Sequence, residues 1–293
     1  MSVAESASNP AHDADGTTGH EWDGIRELNT PLPRWWLYCL YATIVWSFGY
    51  WIAYPAWPLV SDYTRGVFGY SQRQVVLEEV AKVSEARAAR GQSKLASAPY
   101  ADIVADPNLL NLALATGRAA FGDKCAACHG TSATGRTGYP NLQDDEWLWG
   151  GTLPEIEQTI RFGARTSHPE THPGEMMAFG RDGILKPDEV RAVSNYVLSL
   201  SGKAFDPKLD LAKGAEIFAQ NCVACHGENG KGNKEFGAPD LTDAIWLYGS
   251  SPEQVIATVT NGRKGVMPAW EGRLDTATIR SLAVYVHSLG GGR

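Results

Sequence analysis

Apolar positions are spread unevenly along this chain, and their spacing divides it. Residues 1 to about 20, "MSVAESASNPAHDADGTTGH", are small and polar with no apolar period, which predicts disorder. "EWDGIRELNTPLPR" follows as a short ordered approach. From Trp35 to Ser61 there is no charged residue. From residue 71 onward apolar positions recur at helical spacing, and no convincing strand alternation is found.

The uncharged stretch "WWLYCLYATIVWSFGYWIAYPAWPLVS" supplies, between Trp35 and Tyr54, the roughly 20 apolar residues that a helix needs to cross a bilayer. Trp35, Trp36 and Tyr38 mark one end, and Tyr50, Trp51, Tyr54 and Trp57 the other, as aromatic rings do at the two membrane–water interfaces. Pro55 and Pro58 then discourage regular helix. A cleaved signal peptide would have a shorter apolar core nearer the start, so the expectation is a retained anchor over 35–57 after an N-terminal segment, 1–34. Arg26 and Arg34 before the span balance Arg65 and Arg73 after it, so charge does not orient it. Cys39 lies inside the span and reads as an apolar filler.

Residues 58–107 read as an amphipathic helix and a linker. In "SQRQVVLEEVAKVSEARAARG", Val76, Val80 and Val83 share one face, giving about five turns ended by Gly91. Residues 92–107, punctuated by Pro99 and Pro107, read as the linker.

The rest is a tandem repeat. "LATGRAAFGDKCAACHG" (114–130) aligns without a gap on "LAKGAEIFAQNCVACHG" (211–227), and "PNLQDDEWLWGG" (140–151) on "PDLTDAIWLYGS" (239–250). "MMAFG" (176–180) corresponds to "MPAWEG" (267–272), and "VRAVSNYVLSL" (190–200) to "IRSLAVYVHSL" (279–289). The expected domains are 108–203 and 204–293. Both are small for a self-sufficient core, so a bulky group should help fill them.

Each repeat carries Cys-x-x-Cys-His, the attachment signature of c-type haem. Two thiols three positions apart on a helical turn can add to the two vinyl groups of one macrocycle, and the next residue projects its imidazole toward the iron. Cys125 and Cys128 with His129, and Cys222 and Cys225 with His226, therefore predict two covalent haem groups. A Cys₄ zinc site would keep its pairs about 15–20 residues apart and gives no reason for the histidines. A thioredoxin-like dithiol needs a βαβ context, and a disulfide would make a tight ring. The fold expected is mainly α, with one N-terminal transmembrane helix followed by two tandem class I cytochrome c-like domains.

Histidine–methionine ligation suits electron transfer. Met267 in "VMPAW" is nearly forced for one iron, Met1 being the initiator. For the other, the alignment sets Met176 opposite Met267 and Met177 opposite Pro268, which selects Met176; Met177 then packs on the ring edge. Each methionine is assumed to serve its own repeat, and exchange between repeats stays open. Pro140 and Pro239 could offer a carbonyl that orients the imidazole. Trp147, Trp246, Tyr196 and Tyr285 read as cavity packing, with a hydrogen bond to a propionate as the alternative. Arg165 and Arg263 or Lys264 could pair with propionates or sit on solvated loops. His168 and His172 lie in "ARTSHPETHPGE", found only in the first repeat and read as a surface loop, with iron ligation or a pH-sensitive contact as alternatives. His287, near the end of the last helix, reads as structural. The net charge of −7 argues against nucleic acid and fits basic partners. Haem attachment takes place outside the bacterial inner membrane, so both repeats are expected in the periplasm and the N-terminus in the cytoplasm.

The segment "EWDGIRELNTPLPRWWLYCLYATIVWSFGYWIAYPAWP", the linker helix and two Cys-x-x-Cys-His domains together resemble the dihaem subunit family of cbb3-type cytochrome c oxidases (CcoP, subunit III). The resemblance covers essentially the whole chain beyond the first twenty residues. It implies Cys125, Cys128, His129 and Met176 at one haem, and Cys222, Cys225, His226 and Met267 at the other. Met177 departs from the pattern, since many relatives carry proline there. The implied role is electron relay. The subunit accepts electrons from a soluble or membrane-anchored cytochrome c and hands them to the monohaem and catalytic subunits, where oxygen is reduced and protons are pumped. The chain itself would not be an enzyme: it has no multi-helix membrane core with a histidine cluster. A free-standing anchored dihaem carrier is the alternative. A dihaem peroxidase, which needs one releasable distal position, fits poorly with two methionine loops in matching register.

Overall fold

The structure, a computed structural model, describes residues 16–203 and 206–292. The chain divides into two compact units, 1–84 and 85–293.

In the first unit, β1 (Thr17–Trp22) and β2 (Ile25–Leu28) form an antiparallel hairpin in which Trp22 faces Ile25 and Glu21 faces Arg26. The turn between them is Asp23–Gly24, with φ of 49° and 83°. Two consecutive positive φ values are what a two-residue hairpin loop requires, and Asp-Gly is the pair that adopts them readily. Strands were not expected here. The predicted disorder fails at residues 17–20 for this reason; its first fifteen residues lie outside the described ones.

Helix α1 (Arg34–Ala53) starts after Pro33 and ends because Pro55 forces Tyr54 into extended backbone, at φ −120° and ψ 163°. It stops four residues short of the expected limit at Trp57. None of its residues is buried, and rings near its end meet those just beyond it, Tyr50 stacking on Tyr54 at 4.7 Å and Trp51 meeting Trp57 edge to face at 4.8 Å. Among the described residues, no helix is long and apolar enough to cross a membrane. The mean hydropathy of α1 is lowered by Trp35, Trp36, Tyr38, Tyr41, Trp46, Tyr50 and Trp51, whose rings carry a polar N–H or O–H. Helix α2 (Gln72–Arg87) follows, with Val76, Leu77, Val80 and Val83 exposed.

The second unit begins differently from the expected linker. After a π-type turn at Ala88–Gln92, kinked at Gly91 (φ 110°), come α3 (Ser93–Ser97) and α4 (Tyr100–Ala105). Their Leu95 and Ile103 are fully buried against Leu109 and Ala113 of α5 (Pro107–Lys124) and Ala277 and Val284 of α12 (Thr276–Ser288). Residues 92–107 are therefore a folded brace. It is tied down by buried Arg280, which donates to the carbonyls of Leu95 (2.8 Å) and Ala98 (2.5 Å).

The remaining elements are α6 (Ala126–His129), α7 (Leu153–Phe162), α8 (Pro187–Leu200), α9 (Leu211–Asn221), α10 (Val223–His226) and α11 (Pro252–Asn261). Both repeats use the same stop and start chemistry. Asp106 and Asp210 accept from backbone N–H groups at the starts of α5 and α9, while Thr152 with Glu155 and Ser251 with Gln254 form capping boxes at α7 and α11.

Packing departs from the contiguous division 108–203 and 204–293. Phe121 of α5, Ile156 and Ile160 of α7, and Ile279, Leu282 and Val286 of α12 make one core. Val193 and Val197 of α8, Ile217 and Phe218 of α9, and Val255 and Val259 of α11 make the other. Each motif-bearing helix thus packs on the terminal helix of the opposite repeat. Close approach is obtained at two matching glycines. A Cβ on Gly117 would lie 2.2 Å from the Ser281 carbonyl oxygen of α12, and one on Gly214 would lie 2.5 Å from that of Ala192 in α8.

Candidate functional site

Cys125 ends α5 and opens the short turn α6, where the N–H groups of Cys128 (3.1 Å) and His129 (3.0 Å) donate to its carbonyl. Cys222 does the same for Cys225 and His226, at 3.2 and 2.9 Å. Both thiols and the imidazole of each motif thus ride on one rigid turn. No disulfide links the five cysteines. Burial, reinforced by the neighbouring Cys128 or Cys225, pushes the Cys125 and Cys222 thiols up to about 11. Among the described residues, no group of three or more His, Cys, Asp or Glu is arranged to hold a metal ion.

The expected carbonyl contact is present twice. His129 Nδ1 lies 2.9 Å from the Pro140 carbonyl oxygen, and His226 Nδ1 lies 3.1 Å from that of Pro239. Burial lowers both imidazole pKa values, which favours the neutral ring. With Nδ1–H donating to the carbonyl, Nε2 is left with a free lone pair, the form in which imidazole binds iron.

His129 looks into a cavity of about 760 Å³ lined also by Cys125, Cys128, Leu142, Trp147, Ile160 and Met267. Met267 comes from the second repeat. It belongs to the core around Phe121, Cys125 and Ala126, whereas Met176 packs with Phe218, Cys222 and Val223. The backbone explains the exchange. Ala164, just after α7, pairs with Met267 through two hydrogen bonds (3.0 and 3.1 Å), and Arg263, just after α11, pairs with Met176 (2.9 and 3.0 Å). Gly163 (φ 70°, ψ −170°) and Gly262 (φ 68°, ψ −179°) end the two helices, and a Cβ on either would sit 2.3 Å from the carbonyl oxygen of the methionine opposite. Met177 is 56% exposed, in contrast to Met176.

These features fit haem c, whose ring needs an apolar hollow with a free imidazole nitrogen on one side and a thioether on the other. Trp147 adds a buried indole N–H on the wall of the cavity that has no hydrogen-bond partner among the described residues, a donor suited to a propionate. Its counterpart Trp246 instead donates to the Asp243 carbonyl (3.2 Å). Tyr285 leans on Phe121 and Tyr196 on Phe218, at centroid separations of 5.4 and 5.5 Å, as packing residues.

The charged residues make protein contacts of their own. Arg165 donates to the carbonyls of Gly265 and Gly174, Arg263 donates to Thr258 and lies over the Tyr248 ring, and Lys264 pairs with Glu175 at 2.5 Å. His172 stacks on Trp149 at 4.3 Å and contacts Thr159, while His168 meets Glu271 at 3.3 Å. His287 is half-buried on α12, and Cys39 is exposed on α1. Glu146 of the first repeat faces the acidic side chain of Asp243 of the second; burial and this acidic company push Glu146 up to about 7.

Comparison with known proteins adds three family matches. Residues 14–61 match the N-terminal domain of cytochrome oxidase-cbb3, FixP; residues 114–201 match cytochrome c; residues 209–286 match cytochrome C oxidase, cbb3-type, subunit III. Among curated proteins, the chain is 61% identical over 277 residues to the cbb3-type cytochrome c oxidase subunit FixP of Bradyrhizobium diazoefficiens, covering 94% of this chain and 95% of the relative. It is 56% identical to FixP of Azorhizobium caulinodans, over 99% of this chain and 98% of the relative. It is 50% identical to the subunit CcoP of Cereibacter sphaeroides over the full length of both.

Proposed function

Since the chain belongs to the FixP/CcoP family of cbb3-type cytochrome c oxidase subunits, we propose that it is a two-haem electron relay feeding the oxidase. Cys125 and Cys128 hold one haem c covalently, and Cys222 and Cys225 the other. Each bound haem supplies a one-electron carrier. His129 and His226, turned by the Pro140 and Pro239 carbonyls, present Nε2 to the irons. Met267 would hold the iron at the His129 site and Met176 the iron at the His226 site, so each methionine would serve the haem of the other repeat. Apolar side chains around both sites exclude water, which with thioether ligation favours the reduced iron and a raised potential.

The chain reduces no oxygen itself. It accepts electrons from a soluble or membrane-anchored donor cytochrome c and passes them to monohaem and catalytic subunits that reduce oxygen and pump protons. Residues 34–53 anchor it in the bacterial inner membrane, with the N-terminus in the cytoplasm and the haem-bearing unit in the periplasm. The observation that carries this reading is the doubled site: a neutral, carbonyl-held imidazole and a cross-repeat methionine in each of two matching cores.

Purification from native membranes in mild detergent tests it, with a spectrum and an oxygen-uptake trace using reduced cytochrome c. Co-migration of c-type haem, b-type haem, copper and oxygen consumption is the expected result. A purely c-type preparation that consumes no oxygen, obtained under several detergents, would support a free-standing carrier instead.

A further inference from the structure

The two methionine loops run beside one another, and one side chain touches both. Residues 174–176 lie along 263–265 through the paired backbones of Met176 and Arg263. Across this seam lies half-buried Arg165. Its Nε–H donates to the carbonyl of Gly265, two residues before Met267, and its Nη1 donates to the carbonyl of Gly174, two residues before Met176. The backbone of Arg165 is itself fixed: it takes φ 57°, and its N–H donates to the His172 carbonyl at 2.8 Å. The guanidinium lies over the Trp149 ring, 5.7 Å from its centroid, and the His172 ring stacks on the same indole at 4.3 Å. The arginine is therefore held through its backbone and its guanidinium face, with one donor given to each of two loops.

The repeat makes this asymmetry informative. Gly163-Ala164-Arg165 aligns on Gly262-Arg263-Lys264, yet Lys264 is exposed and pairs only with Glu175. A guanidinium has a rigid fork of donors and can bridge two carbonyls at fixed separation; an ammonium is a single point.

We infer that Arg165 is a positioning residue shared by both iron sites, one clasp that sets the reach of Met176 and Met267 together. The inference rests on the reading of both methionines as iron ligands. It makes the two sixth ligands interdependent: loosening the clasp frees both loops, although each serves a different haem.

The test uses the full haem-loaded chain with Arg165→Gln and Arg165→Lys. In the reduced protein each iron-bound methionine gives its own ring-current-shifted methyl resonance, and in the oxidised protein each haem can be titrated with imidazole. Arg165→Gln is expected to broaden or abolish both methyl resonances and to tighten imidazole binding at both haems by about tenfold, the change expected when each loop loses one hydrogen bond to a charged donor. Arg165→Lys should fall between the variant and wild type. A response at one haem alone, or at neither, overturns the inference. Should Arg165→Gln fail to load both haems, the wild-type Arg165 Nε–H decides the matter. Slow exchange of that proton with water supports the clasp, and rapid exchange refutes it. Fewer than two shifted methyl resonances in the wild type would count against the ligand reading itself, not against Arg165.

Discussion

Replacing Gly163 by alanine probes the exchanged geometry at a single atom. Gly163 ends α7 at φ 70° and ψ −170°, a region essentially restricted to glycine, where any other residue costs about 1–3 kcal/mol. The new Cβ would also lie 2.3 Å from the Met267 carbonyl oxygen and 2.8 Å from backbone atoms of Pro268 and Ala269, an overpacking worth about 1–3 kcal/mol. These groups are backbone and cannot rotate away, so the Met267 loop has to move. One shift relieves part of both costs, leaving about 2–4 kcal/mol against the closed loop, or a factor of about 30 to 1,000. The assay is imidazole binding to each oxidised haem, with the haems assigned through the thioether protons of Cys125 and Cys222. Gly163→Ala should open the Cys125 haem to imidazole by this factor and the Cys222 haem much less, only through the shared Arg165; Gly262→Ala should do the reverse. If Gly163→Ala instead opens the Cys222 haem, or neither, the backbone pairing of Ala164 with Met267 does not govern ligation and the reasoning fails.

Direct ligand removal gives a second expectation: Met267→Ala should alter the spectrum of the haem on Cys125 and Cys128, and Met176→Ala that of the haem on Cys222 and Cys225, by the same assignment. The Glu146–Asp243 contact sets a pH dependence. Glu146 faces Asp243, Asp144 and Asp240, the last paired with Lys231 at 3.2 Å. Because its folded pKa of about 7 lies above the ordinary glutamate value, the folded state holds the extra proton and stability falls as pH rises from about 4.5 to about 7. The side chain is only half-buried, so the loss is about 1 kcal/mol; Glu146→Gln should flatten that slope and gain about as much at pH 8 in denaturant unfolding. Arg280 lies over the Tyr100 ring and reaches two brace carbonyls and Glu157 (3.6 Å), so Arg280→Ala should cost about 3–5 kcal/mol and expose residues 88–106 to limited proteolysis.

Much of the site was legible because its chemistry is local. The thiol pair, the imidazole and the proline loop sit within about fifteen residues in each repeat, so spacing alone brought His129 near Pro140 and His226 near Pro239. Pairing between repeats was not legible. The two halves share nearly the same apolar pattern, so α5 could pack on α8 or α12 with similar burial, and the choice depends on long-range packing. The brace escaped notice because α3 and α4 are too short to show a period, and its anchor, Arg280, lies 185 residues beyond Leu95. The hairpin carried a readable signal in Asp23-Gly24, which the polar composition around it obscured. Arg165 read equally as a propionate partner or as part of a solvated loop; only the fold reveals that it reaches the carbonyls of Gly265 and Gly174.

Electron order tests the central claim most directly. The complex purified from native membranes, fully oxidised and held under an inert gas, would be mixed rapidly with reduced donor cytochrome c while c-type and b-type absorption are followed separately. The relay account predicts that c-type haem is reduced first and b-type haem later, and that Met267→Ala slows the b-type phase without altering the haem content. Reduction of b-type haem ahead of c-type haem, or at an unchanged rate in complexes stripped of this chain, would contradict it.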